Sequence, residues 1–242
     1  MFWKESKGLG GLHASSKIAI TLFLLIAGLG YLLGFLNILL TYSPVDQKPG
    51  LSIDDVRISF RGTRQGTRLE KSIDGSMKQY FASTGELAKV KAWLAAGSSP
   101  ADFETVAKPV FDSSCTSCHS SEAAVAGVVL TSYEEVKPFL AQDTGKPIPR
   151  LVSLSHTHVL ATLPVIFILA FIFSFTRFPE KLKAPLMAFS FLAIVLDIGS
   201  WWLAKASGPL AALVLVGGVS LALSFLFLIV ASLWDMWIVR ES

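Results

Sequence analysis

Apolar positions along the chain gather into four long runs, interrupted once by a broad polar stretch. The runs cover 17–42, 151–176, 184–204 and 209–239, and the polar stretch covers 43–150. A helix rises about 1.5 Å per residue, so about 20 residues cross a hydrocarbon core about 30 Å thick. Each run therefore predicts a membrane-spanning helix with length left for tilt. The first run is too long for the apolar part of a cleavable signal, which takes about 7–15 residues. Thr41-Tyr42-Ser43-Pro44 after it offers no small-x-small cleavage pattern, so it reads as a retained anchor. The expected fold is mainly α: four transmembrane helices plus one small external domain over 43–150.

Within the polar stretch the periodicity changes. Residues 51–80 read as irregular or β-rich, because Val56-Arg57-Ile58-Ser59-Phe60 alternates like a short strand and Gly62, Gly66 and Gly75 mark turns. Residues 85–96 read as a helix ending at Gly97. Ser99 then caps a further helix with Pro100 at its first position, running through Phe103, Val106 and Ala107 toward Pro109-Val110-Phe111. A last short helix is expected over 133–140.

Charge adds a direction. The net charge is only +3, which gives no argument for nucleic acid. The basic residues sit beside the apolar runs instead. Lys4, Lys7 and Lys17 precede the first, Arg177, Lys181 and Lys183 separate the second from the third, and Arg240 follows the fourth. The positive-inside rule places these in the cytoplasm, together with the N-terminal segment 1–16 and the C-terminus. Residues 43–150 then face the periplasm of a bacterial inner membrane, as does the turn after Lys205. Trp201 and Trp202 fall near the outer interface, and Trp234 and Trp237 near the inner one. Gly30 and Gly34 form a GxxxG face suited to close helix packing, and Gly217-Gly218 is a second packing feature.

The candidate chemistry is concentrated in five residues. The chain has two cysteines, in Cys115-Thr116-Ser117-Cys118-His119. This is the spacing of a covalent haem c attachment motif, with His119 as proximal iron ligand. Two thiols at this gap on a helical turn match the separation of the two haem vinyl groups. A structural zinc site needs four ligands and finds three here. A thioredoxin-like motif needs a βαβ context that the pattern lacks.

The surrounding segment resembles small monohaem c-type cytochrome domains. Lys108-Pro109-Val110-Phe111 before the motif is similar to the approach to the haem in that family, and Gly127-Val128-Val129-Leu130-Thr131-Ser132-Tyr133-Glu134-Glu135-Val136 is similar to the segment that follows it. The resemblance covers about residues 103–139. It implies a c-type fold for the external domain and an electron-transfer role. The sequence departs from the family in having no methionine between the motif and the second apolar run.

That departure leaves the sixth iron ligand open. The candidates are His156 and His158, at the outer end of the second apolar run, and Met77 within the external domain. Two residues apart on a helix, the histidines point about 200° from one another, so one iron takes one of them; His156, nearer the aqueous edge, is favoured. His13 lies on the opposite side, so it forms no pair with His156 for a transmembrane haem b. Asp197 stands in the third apolar run at about the depth of His158, as a partner that orients the imidazole or as a proton acceptor. Asp235 reads as solvated at the inner interface.

The leading function is electron transfer at the periplasmic face, as a non-enzymatic subunit of a larger respiratory or photosynthetic complex. Its partners would be other membrane subunits, a redox partner and the bilayer. One alternative is a quinol-oxidising membrane subunit with Asp197 and His158 as proton acceptors; another is a haem-based gas sensor with an open sixth site.

Overall fold

The computed structural model describes residues 8–43, 45–46 and 48–239. Lys4, Lys7 and Arg240, on which part of the expected orientation rests, lie outside the described residues. In chain order the α-helices are α1 (Ala14–Tyr42), α2 (Ile53–Arg61), α3 (Arg68–Asp74), α4 (Thr84–Ala95), α5 (Pro100–Asp102), α6 (Lys108–Ser114), α7 (Thr116–His119), α8 (Tyr133–Val136), α9 (Ile148–Ser174), α10 (Glu180–Ala206) and α11 (Ala212–Trp237). Among the described residues the one extended pairing is an isolated bridge between Thr67 and Gln142. Four helical stretches there are long and apolar enough to cross a membrane: Ala14–Tyr42, Ile148–Ser174, Glu180–Ala206 and Gly208–Trp237. The protein is a multi-pass membrane protein, mainly helical.

The chain divides into two compact units, Met1–Arg61 with Lys146–Ser242, and Gly62–Gly145. The second is narrower than the polar stretch 43–150, because α2 packs with the spanning helices. Residues 56–60 are not the expected strand. They belong to α2, whose start is fixed by Ser52: its hydroxyl accepts from Asp55 N at 3.0 Å, and Ser52 N donates to the Asp55 carboxylate at 2.8 Å. This reciprocal cap satisfies two helix-end donors. Val56 and Phe60, four residues apart, are then buried on one face with Leu151, Ala204 and Ala211. Helical spacing, not alternation, places them in the core. Arg61 closes the other end of α2 by donating to the Lys205 and Ala206 carbonyls at the end of α10.

In the spanning unit, Leu24, Leu169, Phe173, Ile194, Phe225 and Leu228 share one apolar core. Gly217 lets α11 approach α10 closely, since a Cβ there would stand 2.6 Å from the Asp197 Cα. Small residues serve this purpose in membrane helices, where van der Waals packing drives association. Gly30 and Gly34 would meet nothing within 4 Å of an added Cβ, so among the described residues no other element packs closely on the GxxxG face of α1.

Asp235 is the clearest departure from expectation. It is 1% exposed rather than solvated. Its carboxylate accepts from Leu9 N at 2.7 Å and from Arg177 N at 2.8 Å. Nearby, Lys183 is 6% exposed and donates to the Ser174 and Thr176 carbonyls at 2.9 and 3.1 Å. A cation there satisfies carbonyls left over at the C-terminal end of α9. Arg177 and Lys183, read first as topological markers, are thus also structural.

The Gly62–Gly145 unit is built round Trp93, Phe103 and Phe111, whose ring centroids lie 5.5 to 6.3 Å apart. Capping boxes at Thr67/Glu70 and Ser132/Glu135 start α3 and α8, and Ser99 starts α5 with Pro100 at its first position, as expected. The two ends of the unit are tied by Asp143. It accepts from Thr63 N at 2.8 Å and Gly145 N at 2.9 Å, and pairs with Lys71 at 3.7 Å. Burial alone would raise the Asp143 pKa; the backbone donors of Thr63 and Gly145 and the Lys71 charge outweigh it, and the carboxyl is held below its usual range.

Gly62 has φ +82°, and a Cβ on it would stand 2.4 Å from both Asp143 O and Gly145 N. The left-handed backbone alone costs a side chain about 1–2 kcal/mol, and these neighbours are backbone that cannot swing aside. Gly62→Ala is expected to destabilise the unit by more than this conformational term. Gly97→Ala, at φ +96° in open space, should show the conformational term alone. Pulse proteolysis across a denaturant series measures both; equal losses would show that Gly62 is not crowded.

Candidate functional site

The cysteine motif is delivered by a helix with a local flaw. Between α5 and α6 the chain makes a π turn, Phe103–Ala107, immediately before Pro109. Proline has no N–H to give the α-helical ladder, and a widened turn is one way a helix absorbs that loss. Phe103 and Ala107 stay fully buried across it. α6 then carries Val110 and Phe111 into the core and ends at the motif.

The motif itself is a single helical turn. Cys118 N donates to Cys115 O at 3.2 Å and His119 N donates to the same oxygen at 2.9 Å. Both cysteines are free thiols; Cys115 is half-buried against the apolar core and Cys118 is exposed. Burial, and secondarily the Glu86 carboxylate, push the Cys115 thiol up to about 11. Glu86 on α4 braces the approach: it accepts from Ser114 Oγ at 2.7 Å and Ser113 Oγ at 3.2 Å. These serine bonds, Ser114 first, hold the Glu86 carboxyl below its usual range.

His119 is oriented from the following loop. Its Nδ1 lies 3.2 Å from Val128 O, and Leu130 N donates to His119 O at 2.8 Å. A carbonyl only accepts, so Nδ1 carries the proton and Nε2 keeps its lone pair for an external acid such as a metal. Two thiols and one oriented imidazole on a single turn fit a haem, whose ring supplies four of the iron ligands itself. Among the described residues no three His, Cys, Asp or Glu side chains are grouped to hold a bare metal ion.

The other sequence-derived candidates divide between the units. Met77 lies in the same unit as the motif, half-buried at the head of a short turn, Lys78–Tyr80. Five residues on, Ala82 N donates to Ser114 Oγ, beside Cys115. His156, His158 and Asp197 lie in the spanning unit. His156 is exposed. His158 directs Nδ1 at Leu154 O, 2.9 Å away, and its ring packs edge-on against Trp201 at 4.9 Å. Asp197 is half-buried on α10, one helical turn before Trp201. His13 precedes the first turn of α1.

Two participants were not singled out from sequence. Glu86 gave no signal beyond its place in a helix. Tyr31, whose hydroxyl donates to Gly218 O at 3.4 Å and whose ring stacks on Phe225 at 4.7 Å, is an ordinary interfacial-looking tyrosine until α1 and α11 are set together.

A family model described as a transmembrane helical domain (Aq_1264_TM) matches residues 142–242, which take in α9, α10 and α11. No curated protein and no solved structure matches the chain.

Proposed function

We propose that the chain is a membrane-bound monohaem c-type cytochrome that transfers electrons at the periplasmic face, as a subunit of a larger respiratory or photosynthetic complex. The observation that carries this reading is the Cys115–His119 turn with the His119 ring fixed by the Val128 carbonyl. A haem held there supplies reversible one-electron iron chemistry. Cys115 and Cys118 would anchor it, His119 Nε2 would bind below the iron, and Glu86 with Ser113 and Ser114 would hold the attachment turn rigid. His156 is the proposed sixth ligand, with His158 and Met77 as the other donors available to the chain. Imidazole in place of thioether lowers the reduction potential.

The test is expression of the full chain in a host with a haem c maturation system. Haem should stay with the polypeptide on a denaturing gel. The oxidised protein should lack the far-red methionine–iron charge-transfer absorption. A colourless chain would sink the cytochrome reading; a coloured chain with the methionine band would transfer the sixth position to Met77.

A further inference from the structure

A second polar group lies within the spanning helices, apart from the motif. His158 on α9 packs edge-on against Trp201 on α10, ring centroids 4.9 Å apart at 83°. Asp197 stands four residues before Trp201 on α10, so the two share one face of that helix, and His158 is an electrostatic neighbour of the Asp197 carboxyl. On α11, Gly217 packs on the Asp197 backbone, and a Cβ at Gly218 would stand 3.8 Å from Asp197 Oδ1. On α1, Tyr31 donates to Gly218 O at 3.4 Å. All four spanning helices therefore meet at one level.

That level lies inside the bundle's length. Asp197 is nine residues from the end of α10 and His158 ten from the start of α9, about 14–15 Å at 1.5 Å per residue. Ionisable groups at such depth are costly and mark partners or pathways. Yet His158 is exposed and Asp197 only half-buried, so the pair opens on the lipid-facing surface. Its available chemistry is specific. His158 Nδ1–H is used on the Leu154 carbonyl, which leaves Nε2 as an acceptor. The Asp197 carboxyl is a second acceptor, and Trp201 is an aromatic wall. An anionic lipid head is repelled by the carboxyl. An aromatic ring bearing hydroxyl donors on an apolar tail satisfies all three groups from the lipid side.

We propose that His158, Asp197 and Trp201 form a lipid-facing binding site for the dihydroxy aromatic head of a quinol. The purpose of the site rests on the electron-carrier reading; its existence does not. The inference also assigns His158 to the quinol, leaving His156 and Met77 for the iron.

The experiment titrates the full chain, solubilised in detergent micelles, with a short-tailed benzoquinol by calorimetry, for the wild type, His158→Phe and Asp197→Asn. Asp197→Asn keeps the size and shape of the side chain, so it guards against a merely structural loss. Saturable wild-type binding that weakens about tenfold or more in each variant, the worth of one lost hydrogen bond to a polar acceptor, is the expected result. No saturable binding by the wild type, or equal binding by all three proteins, overturns the site. Bound haem is quantified on the same samples. Haem without quinol binding defeats this inference alone, and quinol binding without haem defeats the cytochrome reading alone.

Discussion

A chain carrying Cys115→Ser and Cys118→Ser together should retain no haem on a denaturing gel, against full retention by the wild type in the same maturation host. Each thioether is formed by one thiol, and a serine hydroxyl does not replace it. The single variants should differ in degree. Cys118 is exposed and at the open end of the turn, whereas Cys115 is packed against the core with Glu86 beside it. Each single variant is expected to keep a reduced amount of singly attached haem. His119→Ala separates anchoring from ligation: both thiols remain, so covalent haem persists, but the low-spin spectrum given by two strong-field axial ligands is lost. Retention of wild-type colour by the double variant would place the cofactor, if any, elsewhere in the chain. The measurement is haem-specific staining and visible absorption on equal amounts of membrane protein.

The second large effect is expected far from the motif. Asp235→Leu removes the acceptor for two buried backbone donors, Leu9 N and Arg177 N. A buried donor left unsatisfied costs about 1–3 kcal/mol, so the variant should lose about 2–6 kcal/mol from two such donors. The segment before α1 and the link between α9 and α10 would both come loose from α11. Thermal aggregation of the detergent-solubilised protein, followed by size-exclusion chromatography, reads this directly. Asp235→Asn keeps one carbonyl acceptor and should lose less. If Asp235→Leu melts with the wild type, the carboxylate is not holding those elements.

How far the sequence carried these conclusions depended on the distance between interacting residues. The spanning helices were legible because bilayer thickness dictates a long apolar run; their observed ends fall within a few residues of the expected ones. Ser99-Pro100 was legible because a helix cap is a local pattern. The strand expected over 56–60 failed because Val56, Ile58 and Phe60 alternate while Val56 and Phe60 also stand at helical spacing. The signal that separates the two was present upstream, where Ser52-Ile53-Asp54-Asp55 is a capping box. Thr67-Arg68-Leu69-Glu70 repeats it for α3. Asp235 was not legible in this way. Its partners are 226 and 58 residues distant, and nothing near it in the chain separates a buried carboxylate from a hydrated one. At the motif, the five residues announced themselves by spacing. Val128 as the orienting carbonyl and Glu86 as the brace depend on how the loop after His119 and α4 fold back, which no local pattern encodes.

The tie at Asp143 has a consequence for how such a chain is assembled. Because Thr63 and Gly145 bond to one carboxylate, the segment between them leaves and rejoins its neighbours at almost the same point. A segment with touching ends is a cassette: it can be inserted into a connection, exchanged or removed without redirecting what lies on either side. The family match begins at residue 142, where this cassette closes, and continues through the last spanning helix. The last three spanning helices and the cysteine-bearing cassette can thus have separate ancestries, with the chain crossing between cassette and helices twice, before Gly62 and after Gly145.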